Sequence, residues 1–186
     1  MQPVREIPLP DPPLGDDAVA LRPWRQDDLP AMTAALQDPE IPRWTTIPSP
    51  YGERDAREYL SRSEPDRLAG RELGLAVVDA EDGAVLGGCG LSRFDWPDLK
   101  CEIGYWVARQ VRGRGVGTRA VRLLAGWALG PLGLERVELL VDPRNEPSNR
   151  LALSAGFTRE GVMRGYRRRA EGRWDLVMYS RLADDP

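Results

Sequence analysis

The 186-residue chain is 41% hydrophobic and 30% charged, with 29 acidic and 26 basic side chains, which suits one compact domain with a real core. No stretch approaches the roughly 18 uninterrupted apolar residues of a membrane span, and residues 1–17 lack the basic start and apolar centre of a signal peptide, so the cytoplasm is the expected location. Histidine is absent, which excludes Ser–His and Cys–His nucleophilic pairs, His-ligated zinc and any histidine base.

Residues 1–17 are rich in proline and read as an extended arm, followed by a single domain over residues 18–186. The segment Ala18 to Trp24 alternates and predicts a first strand. Asp27 or Asp28 then caps an amphipathic helix through Leu29, Met32, Ala35 and Leu36. Residues 39–51 are rich in proline and aromatics and predict a loop, and a second helix covers about Glu53 to Ser61. Leu73 to Val78 and Val85 to Phe94, joined at Glu81-Asp82-Gly83, predict a hairpin. Cys101 to Val107 is a further strand, and a glycine-rich turn leads into a helix with Val121, Leu124, Ala125 and Ala128 on one side. Val137 to Val141 reads as a strand buried on both faces. Asn145 starts another helix that ends at Gly156, and Gly161 to Arg169 with Arg173 to Leu182 closes the chain as a hairpin about Glu171-Gly172. The order is β-α-α-β-β-β-α-β-α-β-β, an α/β domain on a mixed sheet.

Cys89 and Cys101 form neither a disulfide framework nor a zinc spacing and read as buried, inert thiols, and no metal is expected. Charge is unevenly spread: residues 1–100 hold 19 acidic and 11 basic side chains, residues 101–186 hold 10 and 15. The basic half fits a polyanionic ligand or an uneven surface, while an acidic chain without a nucleic-acid motif points away from DNA and RNA.

The turn Arg112-Gly113-Arg114-Gly115-Val116-Gly117 lies between a strand and a helix, where free backbone N–H groups and the helix dipole attract an anion. Gly113, Gly115 and Gly117 would let a phosphate approach the backbone, and Arg112 and Arg114 add charge. A nucleotide P-loop is excluded by the missing lysine. The dinucleotide fingerprint is excluded because its third glycine would fall on Thr118.

The remaining pattern, R-x-x-G-x-G, resembles the acyl-CoA pyrophosphate loop of the GNAT N-acetyltransferase superfamily. L-R-P-W-x-x-x-D at 21–28, E-I-G-Y-W-V at 102–107 and N-E-P-S-N-R-L-A-L-S-A-G-F-T-R-E-G at 145–161 resemble its RimJ/RimL-type branch in order and spacing. The resemblance implies a GNAT fold, with about seven strands, about four helices, and a sheet whose third and fourth neighbours splay apart around pantetheine. It implies an N-acetyltransferase that uses acetyl-CoA as cosubstrate and a primary amine, a protein N-terminus or a small molecule, as acceptor. Homodimers are common in such families, and neither nucleic acid nor membrane is an expected partner. A larger acyl group such as succinyl, or a non-catalytic acyl-CoA-binding module, are the alternatives.

Residue by residue, the resemblance implies pantetheine contacts from the backbone of Tyr105, Trp106 and Val107, with the Val107 N–H polarising the thioester. It implies pyrophosphate contacts across Arg112, Gly113, Arg114, Gly115, Val116, Gly117 and Thr118, and a further cofactor contact at Asn145. Glu102 matches a general-base position, or is a sheet-end glutamate paired with an arginine; Asp95 and Asp98 are reserves. The tyrosine common on the helix before Gly156-Phe157 is replaced by Ala152, so Ser148 is the candidate proton donor to the leaving thiolate, or a helix-capping hydroxyl. Trp44 and Trp96 are candidates for the acceptor pocket. Arg164, Arg167, Arg168 and Arg169 form a solvated face or recognise an acidic group.

Overall fold

The alternating and helical segments assemble, in a computed structural model that describes residues 5–169 and 172–185, into one eight-stranded sheet with helices on both faces. The strands are β1 (Leu14–Gly15), β2 (Val19–Pro23), β3 (Glu72–Asp79), β4 (Val85–Asp95), β5 (Lys100–Val107), β6 (Arg136–Val141), β7 (Thr158–Arg169) and β8 (Gly172–Leu182). The helices are α1 (Leu29–Leu36), α2 (Glu40–Trp44), α3 (Glu53–Leu68), α4 (Val116–Leu129) and α5 (Glu146–Ser154). Their spatial order is β1-β2-β3-β4-β5-β6-β8-β7, and only β5 with β6 is a parallel pair. This is the expected α/β architecture with one more strand and one more helix.

Both additions come from segments with weak signals. β1 lies in the proline-rich arm, whose Ile7 is fully buried, with its N–H donating to the Arg67 carbonyl at 3.1 Å. α2 is a single short helix inside the stretch expected to be a loop. α3 continues seven residues past Ser61 and absorbs Pro65, where only one backbone donor is lost. Asp28 stands at the N-cap of α1 but makes no side-chain cap bond there: its carboxylate takes Arg22 at 2.7 and 2.8 Å and the Arg25 N–H at 2.8 Å, closing a 3-10 turn before the helix. β6 is buried on alternate residues only, because its neighbour β8 is antiparallel and β5 soon leaves it. The turn at Glu171 lies outside the described residues.

Two apolar layers hold the sheet. α4 buries Ala120, Val121, Leu124, Ala125 and Ala128 against Leu21, Leu75, Leu91 and Ile103, each large side chain contributing about 1.5–3 kcal/mol by leaving water. On the opposite face α1 and α3 pack Met32, Leu36 and Ala56 with Trp24 and Ala76.

The sheet is interrupted where it matters. β5 and β6 pair only at Lys100–Arg136, Cys101–Val137 and Glu102–Glu138, and then diverge. The gap therefore opens between the fourth and fifth long strands, one place further along than the sequence reading put it.

Candidate active site

The divergence of β5 from β6 leaves backbone groups facing open space. The Ala108 N–H donates to Leu86 on the β4 side at 2.9 Å. Alternate residues of a strand point their amides to opposite edges, so Val107 and Tyr105 turn theirs toward the gap. The Trp106 amide points the other way, into the ladder with Gly88, and its ring is what reaches the cleft. A single cleft of about 1170 Å³ passes through the gap, with lining from both faces of the sheet.

One end of the cleft is the glycine-rich turn. Gly113 and Gly115 have φ of 76° and 81°, and a Cβ on either would meet nothing within 4 Å, so the backbone there is bare to a ligand. Gly115 is the N-cap of α4, which leaves the first N–H groups of that helix without intrahelical partners. Gly117 has another function. It has no positive φ, and a Cβ would lie 2.8 Å from Leu151 Cδ1 and 3.1 Å from Val107 Cγ2, so its role is close packing of α4 on β5 and α5. Arg112 is directed away from the turn: its Nε donates to the Val107 carbonyl at 3.0 Å and its Nη2 pairs with the nearly buried Asp38 at 2.8 Å. Arg114 is exposed and does not line the cleft, while Val116 and Thr118 do. The arrangement fits a pyrophosphate: open glycine backbone, a helix start and a neighbouring cleft long enough for an extended chain.

Across the gap, Asn145 caps α5, accepting the Ser148 N–H at 3.2 Å. The Ser148 hydroxyl lies 2.7 Å from the Tyr105 phenol, which burial pushes up to about 12. Its side chain is therefore occupied by a tyrosine from β5 rather than by a backbone donor of its own helix.

Glu102 sits at the floor of the opening. Its side chain is 18% exposed, with Arg93 Nε at 3.2 Å from one oxygen and Arg167 Nη2 at 3.8 Å from the other. Burial raises its pKa, and the two arginines oppose that shift without cancelling it. Arg93 reaches it from a left-handed backbone position, φ 53°, in the bulge where β4 slips against β5. Asp95 and Asp98, the reserves, pair with Lys100 instead and stand off the cleft.

The strand alternation puts Glu102, Gly104 and Trp106 on one face, toward α1 and α3. Trp106 stacks on Trp24 with centroids 6.1 Å apart. Trp44 and Tyr51 add further aromatic wall. Trp96 does not: it stacks on Phe94, donates to the Gly70 carbonyl at 3.1 Å and packs under Arg5. Arg169 holds the end of α2, donating to the carbonyls of Pro42, Arg43 and Thr45 at 3.2, 3.3 and 3.0 Å. The arginine cluster thus divides by strand alternation, with Arg167 and Arg169 turned inward and Arg164 and Arg168 exposed.

Sequence reasoning missed Trp24, Gly104, Asp38 and the side chain of Tyr105. Period-two reading outward from Glu102 would have found Gly104 and set the Trp106 ring on the same face. Nothing local marks Asp38 as the partner of an arginine 74 residues away.

Comparison with known proteins agrees with this geometry. Residues 19–158 match the acetyltransferase (GNAT) domain family. The chain is 30% identical over 167 residues to the uncharacterized N-acetyltransferase p20 of Bacillus licheniformis, covering 89% of this chain and 93% of p20. Among solved structures, RimL, a ribosomal α-N-protein acetyltransferase in complex with coenzyme A, superposes with a TM-score of 0.84 at 17% identity, over 94% of this chain and 99% of RimL. Mycobacterium smegmatis RimJ in complex with CoA-disulfide gives 0.83 at 23% identity, over 92% and 86%. A cleft that threads a split sheet beside an anion-binding helix start, in a chain matched along most of its length, places this protein in the GNAT family as an acetyl-CoA-dependent N-acetyltransferase.

Proposed function

We propose that the enzyme moves an acetyl group from acetyl-CoA to a primary amine by direct attack within a ternary complex. The observation that carries this reading is the opening of the sheet directly after the Glu102–Glu138 pair, which gathers Glu102, the free Tyr105 and Val107 amides, Ser148 and the glycine turn around one cleft. In this reading Gly113 to Thr118 hold the pyrophosphate, pantetheine lies along β5 and against Asn145, and the Val107 N–H is aimed at the thioester oxygen, where hydrogen bonding to a developing oxyanion is a large catalytic effect. Residues 18–186 act as one catalytic domain, and the arm 1–17 is its N-terminal extension.

The acceptor enters from the face of α1 and α3. Its amine must be neutral to attack, and an α-amino group at about 8 needs less help than a lysine amine at about 10.4. Glu102 takes the proton lost by nitrogen, directly or through water, and Ser148 assists the departing sulfur. A protein N-terminus or a small-molecule amine fits this demand, and RimL, named for acetylating a ribosomal protein, supports the first. No acyl-cysteine intermediate is needed: burial pushes both Cys89 and Cys101 thiols up to about 12, where almost no thiolate exists at neutral pH.

The test is thiol release from acetyl-CoA across a panel of peptides and small amines. Glu102→Gln should lower kcat by about 10²-fold or more while CoA affinity stays within a few fold. Because Glu102 titrates above its usual value and works ionised, activity should rise with pH along an acid limb that Glu102→Gln abolishes. An unchanged rate and pH profile in that variant would remove Glu102 from the mechanism.

A further inference from the structure

The Tyr105 phenol plays no part in the scheme above, yet the fold gives it a part-buried hydrogen-bond partner at the cleft. β5 turns Tyr105 toward the α4 face, where its ring lies under the first turn of that helix; a Cβ on Gly117 would come within 3.3 Å of its Cε2. The only hydrogen bond of the phenol among the described residues is to Ser148 Oγ, at 2.7 Å. The Ser148 N–H is already committed to Asn145, and both Tyr105 and Ser148 line the cleft.

Which oxygen donates follows from the acidity of the two hydroxyls. A phenol is more acidic than an aliphatic alcohol and so the stronger donor of the two, while the serine oxygen is the better acceptor of the 2.7 Å bond. A buried hydroxyl hydrogen without an acceptor is costly. With Tyr105 donating, its hydrogen is satisfied and the serine hydrogen is released into the cleft. Since burial holds the phenol near 12, it stays a donor throughout the neutral range.

The geometry points to Tyr105 as a positioning residue for the leaving group: its O–H donates to Ser148 Oγ and so directs the serine hydrogen at the sulfur of CoA. The inference rests on the acyl-transfer reading given above. In the step itself the amine lone pair forms the C–N bond while the carbonyl electron pair moves to oxygen. On collapse the C=O bond reforms, the C–S bond breaks and its electron pair goes to sulfur; the nitrogen proton passes to Glu102. Tyr105 loses no proton, because a phenol near 12 is a weaker acid than an alkyl thiol and does not protonate the thiolate. The thiolate is stabilised by a hydrogen bond, and Tyr105 fixes the direction of that bond.

The test needs no turnover. CoA bound to the wild-type protein is titrated by the ultraviolet absorbance of its thiolate, alongside free CoA. One hydrogen bond to a charged sulfur should give about tenfold more thiolate at a given neutral pH. Tyr105→Phe, which keeps the ring, and Ser148→Ala should each remove most of that excess, and the double variant should lose no more than Ser148→Ala alone. CoA affinity at about pH 6, where the thiol is protonated, should change less than threefold, and kcat should fall about tenfold with little change in KM for acetyl-CoA. A wild-type thiolate fraction in Tyr105→Phe, losses that add in the double variant, or loss of CoA binding would each overturn the proposal. A thiolate excess that depends on Tyr105 in a protein that acetylates no amine would keep this inference and defeat the transfer reading. Turnover without any thiolate excess would do the reverse.

Discussion

At Gly104 the absence of a side chain is what the site uses. It lies between Glu102 and Trp106 on the same face of β5, opposite Gly90 of β4, and a Cβ built on it meets no atom within 4 Å. The floor beside the candidate base is therefore bare backbone, open to whatever lies flat between the carboxylate and the stacked Trp24 and Trp106 rings. Gly104→Val would fill that floor without touching the glycine turn. It should raise KM for the acceptor tenfold or more and leave the CoA dissociation constant unchanged. Steady-state kinetics with CoA titration would check this, and an acceptor KM equal to wild type would place the acceptor elsewhere.

The β5–α4 unit shows how much of the site the sequence announces. A strand followed by R-x-x-G-x-G and then apolar residues at helical spacing specifies an anion-binding helix start by local rules, and Gly113 and Gly115 have the positive φ such a turn needs. Gly117 belongs to the same motif for a different reason, visible only once α5 is packed against it. Gly117→Ala would put its Cβ 2.8 Å from the mobile end of Leu151 and 3.1 Å from Val107 Cγ2, and with the helical gain of alanine offsetting part of that crowding, about 0.5–2 kcal/mol of stability should be lost in denaturant unfolding. An unchanged midpoint would show that α5 moves aside freely. The illegible parts are tertiary. Arg112 looks like a phosphate ligand in the motif, but the folded chain gives it Asp38 and the Val107 carbonyl. Trp96 resembles a pocket residue by its loop position, but the Gly70 carbonyl and Phe94 draw it to the other side. Glu102 is legible through the family resemblance, near the start of the strand that leads to the turn, whereas its arginines come from a bulge and from the last hairpin.

Across the whole molecule, ion pairs set the behaviour in acid. Arg136, with the Ser180 hydroxyl, holds Glu160 down to about 2, Arg22 lowers Asp28, and Arg144 lowers Asp142. A carboxylate whose folded pKa is depressed adds stability above its unfolded value, and that contribution disappears as pH falls through the folded one. Thermal midpoints should therefore stay level down to about pH 4.3, the unfolded value for glutamate, and fall steadily toward about pH 2. Glu160→Gln should flatten part of that fall, and a midpoint that rises between about pH 4 and pH 2 would contradict the assignment. Glu102 runs the opposite way: its raised pKa favours the protonated folded state, so its ionisation costs stability as pH rises through it.

The grip of Arg169 on the carbonyls of Pro42, Arg43 and Thr45 spans 124 to 127 positions of the chain. Synthesis runs from the N-terminus, so a growing polypeptide has its glycine-rich turn, at residues 112–118, well before the arginine that fastens α2 has been made. The aromatic wall proposed to face the amine is thus among the last parts of the enzyme to be secured. A ribosome-bound chain halted before β7 would be expected to carry the glycine turn while the aromatic wall of the cleft is still unclasped.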